Sequence, residues 1–168
     1  ADPKDAPKKQ PGWRKEIAMP VDAPSWALNS LSMGAFNFGV YRSHIPRHKH
    51  GFVSPETFYY PLDYVLDFNR AYGLRGFTQY QCVIPEDAGL GAVVRFMELL
   101  TASGAASFLC VMKDCGPQGD GLLSFPKAGT SIAVDIPVKA NTPAVVARLN
   151  QLVIEVGGRV YLSKDSFT

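Results

Sequence analysis

No stretch of this 168-residue chain approaches the roughly 18 consecutive apolar residues that a membrane-spanning helix needs, and a soluble protein is expected. Charge of one sign is scarce too: 17 basic and 15 acidic residues leave a formal charge of +2, too little to argue for nucleic acid. Cysteine is sparse. Cys82, Cys110 and Cys115 show no C-x-x-C spacing and no even-numbered framework, which speaks against a disulfide scaffold. Two of them sit in apolar, strand-like runs where a free thiol behaves as a small buried hydrophobe. A reducing, cytoplasmic location is the simplest expectation. The chain opens at Ala1 with no signal peptide after it, and is expected to be a cut piece of a longer protein. Missing as well are the G-x-x-x-x-G-K-[ST] and G-x-G-x-x-G patterns of phosphate cradles, although Gly116, Gly119 and Gly121 make a glycine-rich loop.

What is present suits one well-buried core: 46% hydrophobic, 11% aromatic and 19% charged residues. Residues 1–23, with Pro3, Pro7, Pro11 and Pro20 among lysines, read as a flexible lead-in. Residues 24–76 read as a helical and loop extension. Trp26, Leu28, Leu31, Met33, Phe36 and Phe38 form a partly helical apolar pattern, Tyr41–Ser54 is a basic loop, and Pro61 opens a short helix stopped by Gly73. From Phe77 the signals sharpen. Strands are expected at Phe77–Ile84, Ala106–Met112, Thr130–Val138 and Arg159–Ser163. One helix begins at Glu86–Asp87, with a face of Leu90, Val93, Val94, Met97 and Leu100 and a stop at Gly104. A second, capped by Thr142 with Pro143 behind it, runs Val145, Val146, Leu149, Leu152, Val153 and Val156. The order β-α-β-β-α-β over residues 77–168 predicts an α+β, ferredoxin-like fold with both helices on one face of an antiparallel sheet. Right-handed crossovers put its first and third strands in the centre. The other face needs a cover, from the segments before Phe77 or from a partner domain.

Alternation along the central strands places Gln79 and Gln81 on one face with Ser131, Ala133 and Asp135, while Tyr80, Cys82, Ile84, Ile132, Val134 and Ile136 face the helices. Two amides beside small residues would make a polar, donor-rich floor for a hydroxylated ligand. They would equally decorate a solvated sheet face. Lys113 and Lys164 end the second and fourth strands, where a lysine is usually solvated. Lys164 follows a buried-type run and precedes Asp165, so it reads either as a cation beside a cofactor or as half of a surface ion pair. His44, His48 and His50 invite a metal reading, but Arg47 and Lys49 between them repel a cation and a basic loop is the default.

The run FYYPLDYVLDFNRAYGLRGFTQYQCVIP (58–85), followed by ASFLCVMKDCGPQGDGLLSFP, SIAVDIPVKA and GGRVYLSKDS, resembles the cap domain of FAD-linked oxidoreductases of the vanillyl-alcohol oxidase superfamily. The nearest resemblance is to the decaprenylphosphoryl-ribose 2′-oxidase group. That resemblance implies a substrate-binding cap over FAD in an enzyme that oxidises a sugar or alcohol hydroxyl by hydride transfer to flavin. It implies substrate contacts at Gln79, Gln81 and Lys113, a catalytic and flavin-contacting role for Lys164, and a pocket entrance at Tyr59 and Leu62. Ser131 and Ala133 stand where the mycobacterial enzymes carry Asn-x-Cys, so they join the substrate-binding set. Lys164 shares strand parity with Val160 and Leu162, and needs a bend at the strand end to reach the polar face.

The partners so implied are an FAD-binding domain of the same protein, absent from this chain, and a small sugar, polyol or lipid-linked sugar. FAD is not expected on the chain alone, which would be inactive. The rival expectation is a stand-alone ferredoxin-like ligand-binding or regulatory module, a homodimer through its exposed sheet face. A nucleic-acid binder lacks the exposed aromatic pair that sheet-based RNA readers use.

Overall fold

The computed structural model describes residues 15–24, 28–46, 48, 52–60, 63–105 and 107–164. Strand β1 (Ile17–Ala18) comes first, then helix α1 (Ser30–Ser43), helix α2 (Pro55–Tyr59) and strand β2 (Val65–Leu66). A 3-10 turn at Phe68–Tyr72 leads into β3 (Phe77–Pro85), a second at Glu86–Ala88 into α3 (Gly89–Ala102). Strands β4 (Cys110–Cys115) and β5 (Gly129–Pro137), helix α4 (Thr142–Glu155) and strand β6 (Arg159–Val160) complete the order.

The four-stranded sheet runs β4-β5-β3-β6, antiparallel throughout, with the expected first and third strands at its centre. One face is apolar because alternation delivers Tyr80, Cys82 and Ile84 from β3 and Ile132, Val134 and Ile136 from β5 to the same side. Against them pack Ala92, Val93, Phe96 and Leu100 of α3 and Val145, Val146, Leu149, Leu152 and Val153 of α4. Tyr80 stacks on Phe96 with ring centroids 6.1 Å apart, and its hydroxyl donates to Asn150 on α4 at 2.8 Å, so this wholly buried phenol leaves no polar atom unpaired.

Several boundaries differ from expectation. The second strand begins at Cys110, because Phe108 packs into a separate cluster and the Ser107 hydroxyl bonds to the Leu109 backbone in a local turn; Ala106, its expected start, lies outside the described residues. Lys113 therefore lies inside the strand, not at its end. The fourth strand stops at Val160; the Tyr161 amide still donates to the Gln81 carbonyl at 2.8 Å, and the chain then turns through Lys164. The short helix expected from Pro61 to Tyr72 is instead β2 and the 3-10 turn, with Pro61 itself outside the described residues; α2 precedes it. Part of the expected lead-in is structured: β1 pairs in parallel with β2, and the Ala23 amide donates to the Arg70 carbonyl at 2.8 Å. Helix α1 reaches Ser43, inside the expected basic loop. Its start is fixed by a capping box in which Asn29 accepts from the Leu31 and Ser32 amides and the Asn29 amide donates to Ser32.

Candidate functional site

The second face of the sheet is polar in its middle and closed at both ends. Register sets its rows. Asp135 lies opposite Gln79, Ala133 between Gln81 and Val111, and Ser131 between Val83 and Lys113. Arg159 extends the last row beyond Val83. At one end Tyr72 crosses the sheet, its ring 4.4 Å from Phe77 and within a cluster of Leu28, Met33, Ala71, Met19, Phe68 and Phe108. Segments before Phe77 thus cover this end. At the other end Arg159 holds the 116–126 loop through the Ser124 carbonyl at 2.7 Å and Gln118 at 2.6 Å, while Phe125 packs on Tyr161 at 4.8 Å.

Between the two ends lies a hydrogen-bonded network. The Tyr72 hydroxyl donates to Asp135 Oδ2 at 3.1 Å, and Gln79 Nε2 donates to Asp135 Oδ1 at 3.0 Å. Gln81 Nε2 donates to Ser131 Oγ at 3.1 Å. Asp135 is only 2% exposed, and among the described residues no other Asp, Glu, Lys, Arg or His side chain is buried. Burial pushes its carboxyl above the usual range, against the downward pull of the Gln79 and Tyr72 hydrogen bonds and the Lys164 charge. Burial also raises the Tyr72 phenol well above its ordinary value; the Ser107 hydroxyl bonded to it acts downward, and the neighbouring Asp135 upward.

Gln79, Gln81, Ser131 and Ala133 therefore come together as expected, on half-buried or buried positions of one face. Their polarity differs from the donor-rich floor read from sequence. One bond from each amide nitrogen turns to a protein acceptor, so the floor offers amide oxygens as well as donors. Lys113 belongs to the same face by register and is exposed; the cleft of about 580 Å³ that it borders opens toward α3, lined by Ile84, Leu90, Val93 and Met112 and by none of the glutamine-face residues. Lys164 sits in the turn that the strand end makes, where its charge acts on Asp135. Tyr59 stands apart on α2, 70% exposed and edge-on to Phe58 at 5.1 Å, and Leu62 lies outside the described residues.

Asp135 and Tyr72 are the residues that sequence reasoning did not single out. Parity had put Asp135 on the polar face, and an acid in the strand SIAVDIP between apolar neighbours was the signal available. Among the described residues no group of three His, Cys, Asp or Glu side chains could hold a metal. His44 is bound instead to the α1 terminus, its Nδ1 2.8 Å from the Val40 carbonyl, and His50 lies outside the described residues. No described helix is long and apolar enough to cross a membrane.

Over 114 residues, 66% of its length, the chain is 45% identical to a decaprenylphosphoryl-β-D-ribose oxidase of Mycolicibacterium smegmatis, covering 24% of that protein. Over 105 residues, 61% of this chain, it is 32% identical to an uncharacterised protein in the mprA 5′ region of Streptomyces coelicolor, covering 28% of it. The chain spans about a quarter of the length of these curated relatives. No family model matches it.

Proposed function

We propose that this chain is the substrate-binding cap of an FAD-dependent oxidoreductase that oxidises a hydroxyl of a sugar or alcohol, and that its βαββαβ unit is of the ferredoxin-like type. The observation that carries the reading is the 45% identity to an oxidase whose name specifies a ribose. A sheet face bearing two glutamines whose amide oxygens have no partner among the described residues supports it, because neutral hydroxyls need that kind of acceptor. Leu31, Phe38 and Tyr41 on α1 and Leu122, Leu123 and Leu162 near the 116–126 loop are exposed, which suits a unit that packs against further protein.

The flavin, when bound, supplies the hydride acceptor. Lys164 suits the ring end of such a cofactor, since its positive charge already acts on the polar face. The described residues form no glycine-rich cradle for a pyrophosphate, so that part of FAD would be held elsewhere. In this reading Gln79 and Gln81 orient the sugar, Ser131 and Ala133 keep the floor low enough for a ring to approach, and Lys113 lies at the rim.

A chimera tests the assignment. This chain replaces the matching segment of the M. smegmatis oxidase, and flavin bleaching by that enzyme's substrate is followed. The expected result is a flavin-loaded chimera that bleaches, and that loses bleaching with Gln79→Ala or Lys164→Ala while keeping its flavin. A flavin-loaded chimera indifferent to both substitutions would overturn the reading.

A further inference from the structure

A primary amide presents a donor at one end and an acceptor at the other in nearly the same shape, so its neighbours decide which end a ligand meets. For Gln79 that neighbour is Asp135, directly opposite on β5. The Asp135 oxygen at 3.0 Å from Gln79 accepts, and the carboxylate cannot rotate away, because its other oxygen is held at 3.1 Å by the Tyr72 hydroxyl in a site that is 2% exposed. Gln79 Nε2 must point inward. Its Oε1 has no partner among the described residues and is left for the open side. Gln81 has the same polarity, with Nε2 on the buried Ser131 hydroxyl at 3.1 Å. Two residues apart on one strand, the two amide oxygens lie on the order of 7 Å from each other. That separation suits hydroxyls on different carbons of one sugar ring.

We propose that Asp135 is a positioning residue, which locks the Gln79 amide with its oxygen toward the open face and so makes this face a reader of hydroxyl donors on a neutral polyhydroxyl ligand. The ligand half of this statement rests on the substrate-binding reading above; the locking half rests on the Tyr72–Asp135–Gln79 geometry alone. A carboxylate laid on the same floor would meet two amide oxygens and be repelled.

The test uses the whole chain labelled with ¹³C and ¹⁵N. The expected result is a through-hydrogen-bond coupling between Gln79 Nε2 and the Asp135 carboxyl carbon, with one Gln79 amide proton shifted downfield and slow to exchange. Loss of the single amide orientation in Asp135→Asn, with fold retained by circular dichroism, supports the lock; Tyr72→Phe should weaken the coupling without inverting the amide. If Asp135→Asn fails to fold, the native coupling decides. Solvent-like shifts for both Gln79 amide protons and no coupling would overturn the proposal. Titration with methyl β-D-ribofuranoside should then move the Gln79 and Gln81 side-chain signals, and its 2,3-di-O-methyl ether should not. Equal response to sugar and ether overturns the donor-reading half. An intact coupling with no response to either leaves the lock standing and sinks the substrate reading.

Discussion

Tyr72→Phe isolates one hydroxyl. The ring of Tyr72 packs on Phe68, Phe77 and Phe108 at 5.6, 4.4 and 6.2 Å, and phenylalanine keeps all three contacts. What disappears is the donor to Asp135 Oδ2, together with the bond that the Ser107 hydroxyl makes to the phenol. A hydrogen bond to a charged group contributes about 1.5–3 kcal/mol, against about 0.5–1.5 kcal/mol for a neutral one. The folded carboxyl titrates above its ordinary value of 3.8, and the Tyr72 bond is one of the influences restraining it. Its loss raises the folded pKa further.

A group whose folded pKa lies above its unfolded value holds its proton more tightly when folded, so stability falls as pH rises through the window between the two values. That window widens in the variant. The deficit of Tyr72→Phe should therefore be small near pH 3.8, where much of the carboxyl is protonated in both states, and reach about 2 kcal/mol at pH 8. Urea unfolding followed by far-ultraviolet circular dichroism, at steps across that range, measures the difference, and contributions from distant carboxylates cancel between the two proteins. In an Asp135→Asn background the same substitution should cost less and lose its pH dependence. A deficit constant with pH would assign the hydroxyl's contribution to a neutral partner such as Ser107, and no deficit would leave Tyr72 with packing alone.

Two further outcomes follow from the sheet. Gly129 begins β5 at φ 148°, and a Cβ there would run into the Ile84 carbonyl and lie 2.8 Å from Pro85 Cα; Gly129→Ala should destabilise by about 1–3 kcal/mol in urea unfolding, and a neutral result would contradict the close β3–β5 approach. Burial pushes the Cys82 thiol up to about 12, whereas Cys110 is exposed and Cys115 half-buried. Iodoacetamide at pH 8 should modify Cys110 and Cys115 in the native chain and reach Cys82 only on unfolding, with tryptic mass mapping to identify the sites.

The sheet and its two helices were legible because period-two and period-3.6 patterns coincide there with clear stops. Phe77–Ile84 was expected where β3 spans Phe77–Pro85, and Thr130–Val138 where β5 spans Gly129–Pro137. The edges were not. Strand β4 takes in Lys113 and Asp114 because an edge strand can turn charge outward, whereas apolar content had pointed to Ala106–Leu109. Phe108 belongs instead to the cluster around Tyr72, and no local pattern announces which of two clusters an aromatic joins. The glutamines could be placed on a face by parity, but not the direction of their amides. That direction depends on Asp135, and the carboxylate in turn on a tyrosine 63 positions earlier in the chain.

Asp135 sits where the fold gains least from an acid. Its position in the central strand is 2% exposed, and burial works against its charge. Replacing a whole buried ionic cluster by apolar groups of similar volume is often neutral or stabilising, whereas removing one partner alone leaves the others unsatisfied and is costly. An apolar residue here would pack against Tyr72 and Phe77 as its neighbours already do, and would leave Gln79 Nε2 and the Tyr72 hydroxyl without this acceptor. The arrangement is therefore understandable as a unit. The tyrosine holds the acid, the acid holds the amide, and what emerges on the open side is an oriented acceptor beside a second one on Gln81. The apolar core on the helical face needs none of this. The network fixes the direction of one open atom, and the Lys164 charge acts on the same carboxylate.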